Sequence, residues 1–167
     1  MPSLPNAFSQ NFFVYGTLRR GESRDINLLR PAPLWQGQGH VIGALYDLGS
    51  YPGLVLERGG GSCRPQGKVI GEVYAVSQKL ERLLDEIEEV WPQQTGEYSK
   101  RLIEVQMDAS TEEAQPGADA KTGVSPSRKI RCLVYELHPS RAAGKPVIGC
   151  GDWVAHRREL GGKGLPL

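Results

Sequence analysis

Residues Phe12–Ser23 read FFVYGTLRRGES. An apolar, β-rich run ends at a glycine, two arginines follow, and a second glycine closes the stretch. From Gly16 onward the pattern nearly matches the phosphate-cradling loop G-x-x-x-x-G-K-[ST]. The lysine position holds Glu22, and a carboxylate there repels the phosphates that the lysine would meet. A nucleotide loop is therefore excluded. What survives is a strand, a sharp glycine turn and a helical start. Successive backbone N–H groups in such a turn hold a carboxylate or a carbonyl oxygen, and Gly16 lets a ligand approach the main chain. Taken locally, the same residues also fit a plain tight turn with Arg19 and Arg20 in solvent.

The chain around this stretch has 167 residues, a length expected to form one domain with one core. Hydrophobic residues make up 39%, charged residues 23%, and the formal net charge is +1. These are values of an ordinary globular protein, without the basic excess of a nucleic-acid or anionic-membrane surface. The opening MPSLPNAFSQNFF lacks the charge and apolar run of a secretory signal. No apolar segment approaches the ~20 residues of a membrane span. Cys63, Cys132 and Cys150 are far apart and odd in number, the pattern of idle thiols in a reducing cytosol rather than of a disulfide or zinc framework.

Working outward, residues 1–10 read as a loose arm, Phe12–Tyr15 as a strand and Arg24–Leu29 as a short helix stopped by Pro31. HVIGALYDLGSYPGLVLE reads as two strands around a Gly49–Gly53 turn. KVIGEVYAV, Lys68–Val76, is a strand, and Ser77 offers an N-cap to the helix QKLERLLDEIEEV. YSKRLIEVQM and KIRCLVYELH are strands, and a last short helix starts near Asp152. Between those two strands, residues 108–129 are rich in Ala, Ser, Gly and Pro and read as an exposed loop insertion. Strands outnumber helices and are mostly joined by turns, so the sheet is expected to be antiparallel or mixed.

The acidic helix carries an apolar stripe, Leu80, Leu83, Leu84 and Ile87, at i, i+3, i+4, i+7. At roughly 100° per residue, Asp85 and Glu89 point away from that stripe and read as surface acids, whereas Glu88 lies about 90° from its centre. Glu88 also falls in the last helical turn. The negative end of the helix dipole, the neighbouring acids and partial burial all favour its protonated form. That suits a group exchanging protons near neutral pH. His40, His138 and His156 are widely spaced, with no obvious Ser, Cys or carboxylate partner, and read as surface or strand-edge residues. Trp35, Trp91 and Trp153 read as core or boundary aromatics.

Taken together, FVYGTLRRG, YPGLVL, VIGEVYAV, LLDEIEEV followed by GEY, and the late GDW resemble the gamma-glutamylcyclotransferase-like family. The matched segments run from about Phe12 to Trp153, nearly the whole chain. The resemblance implies an α+β fold around a small mixed or antiparallel β-barrel with flanking helices, in a single domain spanning 1–167. It implies a pocket where the YGTL turn faces the end of the acidic helix. The family's acid/base glutamate, in an L-D-x-x-E pattern, falls on Glu88, the residue that helix geometry singles out. Its substrate-holding turn falls on Tyr15, Gly16, Thr17 and Leu18, and its later tyrosine on Tyr98.

The chain departs from the pattern at Glu89, where the family often has glycine, and at Lys100, where it often has arginine. Arg24 and Asp25 stand near a common Asn or His. The implied reaction is an attack by the α-amine of a γ-glutamyl unit on its own γ-carbonyl, giving 5-oxoproline and an amine without metal or organic cofactor. The expected partner is a small γ-glutamyl compound, not a nucleic acid or a membrane. A cytoplasmic monomer or weak homodimer is the expected state. The rivals are a related enzyme acting on a different γ-glutamyl carrier, and a non-catalytic small-acid-binding or interaction module on the same fold.

Overall fold

The computed structural model describes residues 8–57, 67–88, 98–108 and 128–162. Six strands, β1 (Phe8–Val14), β2 (Leu34–Asp47), β3 (Pro52–Leu56), β4 (Gly67–Ser77), β5 (Tyr98–Met107) and β6 (Lys129–Leu137), pair in the order β3-β2-β4-β1-β6-β5. A further β2–β5 pairing through Gly39 and His40 closes β2, β4, β1, β6 and β5 into a barrel, with β3 extending β2. The β1–β6 pair is parallel and the others are antiparallel. The fold is thus the expected small mixed α+β barrel. Helix α1 (Gln78–Ile87) follows β4 directly, and α2 (Trp153–Gly162) comes last.

The end of β1, Phe12–Val14, shows why its sequence is apolar without alternation. Phe13 and Tyr15 join Val41, Leu45, Val73, Val105 and Val134 inside the barrel, while Phe12 and Val14 pack outside against Leu80 and Leu84 of α1. A segment buried on both faces, as Phe12–Val14 is, has no solvated side to encode. The strand begins at Phe8, so Phe8–Gln10, expected in a loose arm, belong to the ladder: Phe8 pairs with Ser77 and Gln10 with Val76 across an irregularity.

Helix α1 starts as its sequence dictates, the Ser77 hydroxyl accepting the Leu80 N–H at 3.2 Å. Its Leu80 and Leu84 are fully buried. The segment expected to be helical over Arg24–Leu29 is shorter, a 3-10 turn over Ile26–Leu28. Asp25 sets its start by accepting the Asn27 and Gly21 N–H groups, both at 2.9 Å. Those hydrogen bonds outweigh burial and hold the Asp25 carboxyl below its usual value. β5 and β6 pair from Tyr98↔Leu137 to Gln106↔Lys129. The 109–127 stretch of the expected insertion joining them lies outside the described residues, as do Cys63, Glu89 and Trp91. Among the described residues, no helix is long and apolar enough to cross a membrane.

Candidate active site

Past Val14 the chain leaves the sheet and turns at once. The Arg19 N–H donates to the Gly16 carbonyl at 3.0 Å, and the Arg24 and Ile26 N–H groups return to the Thr17 and Leu18 carbonyls, both at 2.9 Å. The turn's carbonyls are thus used internally. Its amides are not: among the described residues, nothing accepts the N–H groups of Gly16, Thr17 or Leu18. All three residues are buried, where an unmatched amide is costly.

Gly16 has a packing reason to be glycine. A Cβ there would stand 2.5 Å from Cγ and 2.8 Å from Cδ of Pro52, the first residue of β3. The turn is thereby pressed against a second element.

A buried ion network anchors the turn from behind. Arg19, only 6% exposed, donates through Nε to Glu72 at 2.9 Å and through Nη1 to Asp152 at 2.7 Å. Glu72 also accepts the Arg20 N–H at 2.9 Å and the Tyr74 hydroxyl at 2.8 Å. The picture of a solvated Arg19 is therefore corrected. Its carboxylate partners come from β4 and from the residue before α2, which no local reading of the turn contains. Arg20 lies over the Trp35 ring at 4.8 Å. Within the late GDW motif, Asp152 also accepts the Val154 and Ala155 N–H groups, and Trp153 is buried in the barrel. Gly151 adopts φ +69° with its Cα against the Lys68 carbonyl, a close approach that a Cβ would prevent.

The turn faces a cavity of about 260 Å³. Tyr15, Gly16, Thr17, Leu18, Glu88 and Tyr98 all line it, so one concavity gathers every site residue expected from the sequence. Pro52, Tyr51, Tyr135 and Arg24 complete much of the remaining wall. The two expected tyrosines use their hydroxyls on the main chain. Tyr15 donates to the Tyr135 carbonyl at 2.6 Å and accepts the Leu54 N–H at 3.2 Å. Tyr98 donates to the Pro52 carbonyl at 3.0 Å. Both hold the cavity's walls together.

Glu88 is the C-cap of α1, its N–H donating to the Leu84 carbonyl at 2.9 Å. One turn earlier stands Asp85, and here an expectation fails. Asp85 is buried at 8% exposure, accepting the Tyr135 hydroxyl at 2.8 Å and the Lys100 ammonium at 2.9 Å. Glu81 accepts Lys100 at 3.0 Å. Glu81, Asp85 and Glu88 at i, i+4, i+7 form a second, acidic stripe beside the apolar one. That stripe faces polar groups of β5 and β6, which the apolar periodicity alone does not reveal.

Burial raises the Tyr135 hydroxyl pKa, with the Asp85 hydrogen bond and the Asp85 and Glu88 charges adding to it. Tyr135 is therefore a fixed neutral donor. Burial works against the Lys100 charge, but Asp85 and Glu81 outweigh it and hold the ammonium above its usual value.

The histidines lie away from the cavity but do have partners. His40 meets Asp108 at 2.8 Å, His156 meets Asp47 at 2.9 Å, and His138 bonds Ser140 at 2.8 Å. The carboxylates are 68 and 109 residues away in sequence, beyond the reach of spacing arguments. Among the described residues, no cluster of His, Cys, Asp and Glu is arranged to hold a metal ion.

A family model described as gamma-glutamyl cyclotransferase, AIG2-like matches residues 12–155, from β1 into α2. The chain belongs to that family. Over 83 residues it is 40% identical to the gamma-L-glutamyl-butirosin B gamma-glutamyl cyclotransferase of Niallia circulans. That match covers 49% of this chain and 47% of the relative, about half the length of each. Among solved structures, the gamma-glutamyl cyclotransferase, AIG2-like fold recurs in an AIG2-like protein from Mus musculus, with TM-score 0.56 and 22% identity, covering 86% of this chain and 88% of that one. YkqA from Bacillus subtilis aligns with TM-score 0.60 and 22% identity, over 97% of this chain and 44% of that one.

Proposed function

We propose that this family member cleaves a γ-glutamyl amide by intramolecular cyclisation, with Glu88 as its acid/base and the Gly16–Leu18 amides as its anion cradle. The observation that carries this reading is the shared cavity: three buried residues whose amides have no acceptors among the described residues line the same space as Glu88 at a helix end.

The chemistry asks little beyond these groups. The substrate's α-nitrogen attacks its own γ-carbonyl carbon, forming the five-membered lactam as the amide C–N bond breaks. The nucleophile is tethered, so binding a bent conformer supplies most of the proximity. Glu88 takes a proton from the α-ammonium and returns one to the departing nitrogen, leaving 5-oxoproline and a free amine. The amides of Gly16, Thr17 and Leu18 hold the substrate's carboxylate or the developing oxyanion, where preorganised donors are most effective. Tyr15 and Tyr98 act through shape, fixing the walls against which the chain bends. The protein is expected to work as one domain on a small molecule, with no metal or organic cofactor in the reaction.

Release of 5-oxoproline from a panel of γ-glutamyl amino acids and γ-glutamyl amines tests the reading. Turnover of at least one compound, abolished in Glu88→Gln, is expected. A correctly folded protein that releases no 5-oxoproline from any of them refutes it and leaves a small-acid-binding module in its place.

A further inference from the structure

The cavity's described wall carries two charged side chains, Glu88 and Arg24. Among the described residues, Arg19 is paired with Glu72 and Asp152, Lys100 with Asp85 and Glu81, and Arg101 with Glu136. Arg24 is paired with no carboxylate among the described residues. Its main chain is fixed by the bond to the Thr17 carbonyl, while its exposed guanidinium makes one long contact, 3.5 Å, to the Ile87 carbonyl. The guanidinium therefore sits at the solvent rim, beside the helix end that presents Glu88.

In either placement given above, the γ-glutamyl unit lies against the turn and the scissile nitrogen lies at Glu88. Whatever that nitrogen carries leaves the cavity along the rim, past Arg24. A guanidinium there attracts a carboxylate by charge and fork geometry and repels an ammonium. Resting on the cyclotransferase reading, we propose that Arg24 selects substrates whose leaving amine bears a carboxylate, which makes γ-glutamyl amino acids the preferred class over γ-glutamyl amines.

The matched pair γ-glutamyl-alanine and γ-glutamyl-ethylamide differs only in the leaving group's carboxylate. For the unaltered protein, kcat/KM for 5-oxoproline release is expected to favour the alanine compound by about tenfold, the effect of one charge-assisted hydrogen bond at a wetted rim. Arg24→Met should bring the ratio near one by slowing the alanine compound and leaving the ethylamide within about twofold. Arg24→Lys should restore part of the preference. Arg24 is exposed, so unchanged melting temperatures are expected for both variants.

A ratio that is unchanged in Arg24→Met overturns the inference and reduces Arg24 to a cap on the helix end. Equal loss on both substrates also overturns it, placing Arg24 on the γ-glutamyl unit. Absence of 5-oxoproline from both compounds and from every member of the panel above, with the unaltered protein, is a different result. It removes the cyclotransferase reading, and this selectivity with it.

Discussion

Asp85→Asn exchanges one oxygen of a buried carboxylate for an NH2 group, and its cost can be worked from the contacts. The Asp85 side chain is 12% exposed, and its two oxygens accept from different donors, Tyr135 on one side and Lys100 on the other. Hydrogen bonds to a charged group contribute about 1.5–3 kcal/mol each. The amide keeps one acceptor, so one bond survives in weaker, neutral form while the NH2 group confronts the other donor. Lys100 is 26% exposed and retains Glu81, which discounts the roughly 3–5 kcal/mol typical of breaking a fully buried pair. The expected loss is about 2–4 kcal/mol. Urea unfolding, followed through the buried Trp153, should show a lower midpoint with an unchanged slope. Tyr135→Phe alone should cost about 1 kcal/mol, and the double variant should be less than additive. An Asp85→Asn protein within ~0.5 kcal/mol of the parent would refute the reasoning and return Asp85 to the solvated face that its angular position implies.

Glu88→Gln, which keeps the size of the side chain but accepts no proton in the working range, should lower kcat by roughly 10²–10⁴-fold with little change in melting temperature; full activity would remove the proposed acid/base. Gly16→Ala, whose Cβ meets the Pro52 ring at 2.5 Å, should cost about 1–3 kcal/mol in thermal unfolding and reduce turnover by shifting the turn; unaltered stability and rate would show that the turn is not pressed on β3. The Asp25 pKa is lowered from 3.8, so its contribution to stability is present above that value and lost as pH falls through the lower folded-state pKa. Asp25→Asn should therefore flatten acid unfolding below about pH 4, and an identical acid profile for parent and variant would count against this.

What the sequence made legible follows a physical divide. Strand β5 and helix α1 are encoded by contiguous patterns, so Tyr98–Met107 and the Ser77 cap could be placed from local residues. That the turn and Glu88 share a cavity is implied by the family resemblance, whereas the local residues mark each of them only separately. Asp85 was misplaced because angular arithmetic on a helix knows one apolar direction, whereas its polar partners are 15 and 50 residues away. Arg19 misled for the same reason: adjacent to Arg20 it reads as half of a solvated pair, yet its partners stand 53 and 133 residues further on. Arg24 registered only as a departure from a pattern, since its place at the cavity rim depends on where the end of α1 lies.

The bond between Arg19 and Asp152 has a consequence for the order in which the molecule matures. A ribosome releases the Gly16 turn before Asp152, together with the strand that leads into it. The carboxylate that helps lock its arginine emerges 133 residues later, on the residue that also caps α2. Contacts so distant along the chain close late, because the intervening loop entropy is spent first. Until then an arginine destined for burial lacks one of its counter-charges. The turn proposed above as an anion cradle is consequently fully locked in place only by a residue 133 positions further along the chain.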